Sequence, residues 1–174
     1  MTKGDALPFS RLLQLVALHG PYEATLEPDE AERAAIARLG SLHSVHAFKA
    51  RVLVTPRADG TIRVTGVLKA AVEPVCVVSL EPFAQAIDEE IEAVFAEPDV
   101  ITRLEKRAAE AELEFDPPDE IEGGIIDIGA LAVEFLMLAL DPYPKKPGAT
   151  FTEHREAEAR ESPFAALAKL KSLD

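Results

Sequence analysis

The chain has 174 residues, 48% of them hydrophobic, which is enough for one domain with a real core. Its 18 basic and 31 acidic residues leave a net charge of −13 with His neutral. A field of that sign repels phosphate backbones and anionic lipid, which argues against a generic basic nucleic-acid binder. One cysteine and no tryptophan exclude an intrachain disulfide framework and a multi-cysteine zinc site, and favour a reducing, cytoplasmic setting.

The first apolar run, Leu12 to Leu18, follows Arg11 but is broken by Gln14 and lacks a small-residue cleavage pattern. Nothing along the chain approaches the ~18 apolar residues of a membrane span, so neither an export signal nor a membrane segment is expected. Tyr22 to Leu26 reads as a short strand. Pro28-Asp29-Glu30 then opens a helix over about 28–39, with Pro and carboxylates where the free N–H groups of the first turn favour them. Gly40 is expected to end it in the left-handed conformation.

Residues 41–75 carry five basic and two acidic side chains, 5 − 2 = +3, and form the only strongly basic block. Phe48, Ala50, Val52 and Val54 alternate along one strand, and Val64, Gly66, Leu68, Ala70 and Val72 along the next. This predicts a central hairpin over about 43–56 and 61–75. A two-residue Asp59-Gly60 loop would pair odd with even positions and put the apolar faces on opposite sides. An odd-numbered loop such as Ala58-Asp59-Gly60 is therefore predicted. Residues 83–95 fit a helix or a strand, but Ile87, Ile91, Val94 and Phe95 are β-favouring and a third strand would cover the hairpin's edge. Its outward Asp88, Glu90 and Glu92 would lie near outward Lys49, Arg51, Arg63 and Lys69.

From Glu97 to Pro118 the apolar period fades among charges, which reads as a mobile acidic linker over about 97–120 or a poorly packed helix. Asp127 is then placed as N-cap of a helix over about 128–140, apolar nearly all round and central, burying Leu131, Val133, Phe135, Leu136, Leu138 and Leu140. Asp141 to Gly148 holds three prolines and must be extended. Ser162-Pro163 caps a short C-terminal helix, about 163–171, on a loose tether, with Phe164, Leu167 and Leu170 on one face. Together these elements predict a single α+β domain over 1–174, an antiparallel sheet built on the central hairpin and packed by helices, with 162–172 loosely attached.

Motifs for catalysis are sparse. Cys76 is followed by Val77-Val78-Ser79, so the second thiol of a Cys pair is missing, and the cysteine reads as a buried or turn residue. The four histidines are scattered, and no phosphate loop, nucleophile elbow or His-Glu-x-x-His pattern occurs. No cofactor or metal is expected. The one unusual feature is the basic hairpin face of Lys49, Arg51, Arg63 and Lys69, which suits phosphate or an acidic partner. Cross-strand neutralisation by Asp88, Glu90 and Glu92 would explain the same charges, and the face offers no aromatic side chains for base stacking.

Val64 to Ala70, Cys76 to Phe83, Ile126-Asp127-Ile128-Gly129 with Glu134 to Pro144, and Ser162 to Leu167 together resemble the bacterial YceD family, also called domain of unknown function 177. The resemblance implies a role in accumulation of large-subunit ribosomal RNA and so in ribosome assembly, with no catalytic residues to carry over. Many relatives have Cys-x-x-Cys where this chain has Cys76 and Ser79, and some have further cysteines where it has Lys145-Lys146-Pro147-Gly148. A metal-stabilised form of the family therefore does not carry over.

Three functional readings stand. The leading one is a non-enzymatic cytoplasmic assembly factor whose acidic surface binds a basic ribosomal or assembly protein, with RNA contact indirect or confined to the hairpin face, and no membrane. A second is a metal-dependent hydrolase acting on RNA or nucleotide, with Asp127, Glu134 and Asp141 as ligands at seven-residue spacing along one helix side. A third is a structural adaptor for an unrelated partner. Oligomeric state and strand order are not legible in the residues.

Overall fold

The structure, a computed structural model, describes residues 7–150. The C-terminal helix expected at 163–171 lies outside them. The chain is α+β. Strand β1 (Leu12–Gln14) runs into a 3-10 turn (Leu15–Ala17), followed by β2 (Tyr22–Leu26), helix α1 (Glu30–Leu39), and the long strands β3 (Ser44–Pro56), β4 (Ile62–Glu73) and β5 (Gln85–Ala96). Helix α2 (Pro98–Glu110), the short strands β6 (Asp119–Glu120) and β7 (Ile125–Asp127), and helix α3 (Ile128–Ala139) complete it. The main sheet has the order β2-β3-β4-β5-β6, antiparallel except for the β5–β6 pair, while β1 and β7 form a separate antiparallel ribbon.

Alternation dictates the hairpin. Phe48 pairs with Ala70, Ala50 with Leu68, Val52 with Gly66 and Val54 with Val64, so both apolar faces point the same way. The loop is the odd-numbered one: Arg57 N–H donates to Thr61 O at 2.8 Å, and Gly60 turns at φ +93°. Asp59 Oδ1 accepts from Thr61 N and Oγ1, satisfying the buried threonine. The third strand pairs Ile87 with Ala70 and Ile91 with Gly66, extending the same apolar face. On that face lie α1, against β3, and α3, against β4, β5 and β1. Phe9, Ile36, Leu68, Ile91 and Leu136 are fully buried in one continuous core; each such side chain contributes about 1.5–3 kcal/mol by leaving water.

Several expectations are corrected. Gly40 does end α1, but at φ −82°. The left-handed residue is Ser41 at φ +51°, and Leu42 N–H reaches back to Ala37 O at 2.9 Å, the Schellman arrangement displaced by one residue. A Cβ at position 40 would lie 3.1 Å from Met137 Sδ of α3, a tight contact with the end of a flexible side chain. The segment expected as a mobile linker over about 97–120 begins as helix α2, with Val100, Leu104 and Ala108 at helical spacing but only Val100 buried. Of the two sequence readings, the poorly packed helix is the one found there. Helix α3 is not apolar and buried all round: Leu138 is 73% exposed, and Phe135 and Leu140 are partly buried, since α3 covers one face of the sheet and nothing described here covers its outer side.

Candidate functional site

Pleating sends the odd residues of β3 and β4 away from the core. Lys49, Arg51 and Leu53 from β3 and Arg63, Thr65, Val67 and Lys69 from β4 therefore stand on the outer face of the sheet. The buried residues of α1 and α3 belong to the opposite face, and Lys49, Arg51, Val67 and Lys69 are exposed. β2 brings Thr25 directly opposite Arg51 and Glu23 opposite Leu53. The result is a hollow of about 940 Å³ lined by Glu23, Thr25, Lys49, Arg51, Leu53, Thr65, Val67, Lys69 and Asp88, with Val67 and Leu53 as its apolar floor.

The four cations marked in the sequence divide here. Lys49, Arg51 and Lys69 line the hollow and Arg63 does not. Lys69 pairs with Asp88 at 2.7 Å and Arg63 with Glu92, as cross-strand neutralisation requires. Lys49 departs from that pattern, because its partner is Glu27 just beyond β2 rather than an acid of β5. The hydrogen bond from Lys49 and then its charge, helped by Arg51, hold the Glu27 carboxyl below the usual range. Arg51 makes no ion pair among the described residues. Glu90 stands opposite Val67, between Asp88 and Glu92 on the same face, and makes no ion pair among the described residues.

Cys76 is both buried and in a turn. Its Sγ receives N–H groups from Val78 and Ser79 at 3.4 Å and from Lys146 at 3.3 Å, so the 76–79 turn and the loop around Lys145-Lys146 meet at one sulfur. Lys146 Nζ also pairs with Glu81 at 2.9 Å. The Ser79 side chain, then the Lys146 and Ser79 N–H groups, favour the thiolate and outweigh burial, lowering the thiol to about 6 from 9.0. A depressed folded value means this thiolate's contribution is complete above the unfolded value and is lost as pH falls towards the folded one. Stability should therefore rise with pH between about 6 and 9.0, an increment that Cys76→Ser removes. Absorbance of the sole cysteine at the thiolate band should titrate with a midpoint near 6; a midpoint near 9.0 would show the sulfur to be ordinary.

The hydrolase ligand set does not assemble. Asp127 accepts from Ser10 Oγ, Arg11 N, Gly129 N and Ala130 N, so its oxygens are occupied in capping α3, while Glu134 and Asp141 are exposed. Among the described residues, no group of three His, Cys, Asp or Glu side chains is placed to hold a metal ion. Nor do the histidines among the described residues form such a group: His46 sits at a β-bulge in β3, with its Nε2 3.0 Å from Ser44 Oγ and 3.2 Å from Glu73 Oε2.

Compared with known families, residues 64–171 match the model described as large ribosomal RNA subunit accumulation protein YceD. The chain belongs to the YceD family. The YceD match begins inside β4, so it includes Lys69, Cys76 and Asp127, whereas Lys49 and Arg51 precede it. The family's name connects the chain with large-subunit ribosomal RNA. No curated protein and no solved structure matched significantly. No helix among the described residues is long and apolar enough to cross a membrane.

Proposed function

We propose that this YceD protein is a non-enzymatic cytoplasmic factor that supports accumulation of large-subunit ribosomal RNA by binding within the assembling particle. The observation that carries this reading is the hollow on the open face of the sheet. It gathers Lys49, Arg51 and Lys69 on a chain whose net charge is −13, in a family named for ribosomal RNA accumulation. The acidic remainder of the surface suits the basic proteins with which ribosomal RNA is assembled, and complementary charge of that kind speeds and orients association.

Gradient sedimentation of cell extract tests it. The protein should travel with precursor large subunits at low ionic strength and leave them as salt rises, because exposed charge contacts are screened over about 10 Å at 0.1 M. Depletion should lower large-subunit relative to small-subunit ribosomal RNA. Absence from every ribosomal fraction at low salt would overturn the proposal.

A further inference from the structure

We propose that Lys49, Arg51 and Lys69 form a site for the backbone phosphates of single-stranded RNA, with Leu53 and Val67 as the apolar floor beneath sugars and bases. This deepens the function proposed above and rests on it. Lys49 and Lys69 are direct cross-strand partners. Like charges facing each other across a ladder oppose sheet pairing, and here each is offset only by an exposed carboxylate, Glu27 or Asp88. Arg51 stands two residues further along β3, in the hollow, with five N–H donors and no carboxylate partner among the described residues.

The two lysines are held loosely. Their partners Glu27 and Asp88 have side chains 56% and 64% exposed, and they lie on opposite sides of the β3–β4 pair. Ion pairs this open are weak and exchange readily for another anion. A phosphodiester strand crossing the hollow would replace both carboxylates and supply Arg51 with the acceptor it lacks. Thr25, opposite Arg51, and Thr65, opposite Leu53, add hydroxyls on either side. A duplex fits less well. Its second strand would approach the exposed carboxylates of Glu23, Glu90 and Glu92 around the hollow. With no aromatic residue among those lining the hollow, stacking contributes little and the signature of binding is its salt dependence.

The test measures anisotropy of a labelled single-stranded oligouridylate of about 12 nucleotides, a length within the usual range of such sites, with the full chain. Three phosphate contacts on a single strand predict a log–log salt slope of about −2. Replacing Lys49, Arg51 and Lys69 together by Gln should weaken binding by about 10-fold or more and bring the slope close to zero. Arg51→Gln alone, which disrupts no ion pair, should reduce the slope by about 0.7 and keeps the test decisive if the triple variant does not fold. Arg63→Gln, outside the hollow, should change neither. Lack of binding at low salt, equal binding by the Arg51 and triple variants, or binding of a lysine-rich peptide where the oligonucleotide does not bind would each overturn the site. If the protein still sediments with precursor large subunits in that case, this inference fails and the proposed function stands; if it does not, both fail.

Discussion

Gly66→Ala is expected to destabilise the protein by about 3 kcal/mol or more, as backbone collision in a packed core does. Strand propensity alone predicts the opposite sign, since alanine in an ordinary strand is favoured over glycine by about 0.5–1 kcal/mol. Packing decides. A Cβ at Gly66 would lie 2.2 Å from the Arg51 carbonyl oxygen and 3.0 Å from Val52 Cα, and both are backbone of the neighbouring strand. A flexible side chain could swing aside, but a strand paired along its length to β4 and, at Arg51 and Val52, to β2 as well cannot move locally without breaking ladder bonds. Urea denaturation of the variant checks this. A loss under about 1 kcal/mol would mean that β3 accommodates the methyl group, and a gain would restore the propensity argument.

Asp127→Ala is the second large effect, expected at about 2–3 kcal/mol: an N-cap is worth about 1 and further hydrogen bonds to a carboxylate add to it. Asp127 does more than cap α3. Its Oδ1 accepts from Arg11 N at 2.7 Å and its Oδ2 from Ser10 Oγ at 2.5 Å, so one carboxylate ties the N-terminal segment and β1 to the start of α3. That segment delivers Phe9 to the core, edge-on to Phe48 at 5.9 Å, with the Arg11 guanidinium over the Phe9 ring and paired to Glu32. Gly129 permits the approach, because a Cβ there would meet Arg11 N at 2.7 Å. Burial opposes ionisation of Asp127, but the hydrogen bonds from Ser10, Ala130, Arg11 and Gly129 outweigh it and its pKa lies below 3.8. The carboxylate's contribution is therefore complete above 3.8 and lost as pH falls through the lower folded value. The stability gap between wild type and Asp127→Ala should be full at neutral pH and shrink below about 3.8, as read from denaturation midpoints across pH. A gap that stays constant through acid would assign the loss to packing instead.

Local chemistry made much of the fold legible. Alternation along Phe48 to Val54 and Val64 to Val72 implied the hairpin, its register and the parity of its loop, because the two faces of a strand differ by one residue and only one face can be buried. Asp127 was readable as a helix start; α1 was expected from Pro28 but begins at Glu30, because Asp29 is its N-cap and completes a capping box with Glu32. Where charge diluted the pattern, as in α2, the residues left linker and helix both open, and where neighbouring residues competed for one role, as with Gly40 and Ser41, sequence reading assigned the wrong residue.

The candidate site was half visible. Four cations on one hairpin face follow from the two-residue period, but their division does not. Whether Lys49 meets Glu27 or an acid of β5, and which cation is left without a partner, depends on β2 joining the far side of β3. Cys76 was expected as a buried or turn residue and is both; its lowered pKa owes most to the neighbouring Ser79 side chain and next to the Lys146 N–H, seventy positions away, which only folding brings to the sulfur. Periodicity and capping are short-range and are written in residue order. Partners distant along the chain depend on which surfaces the strands and helices leave open once the apolar faces have been buried together.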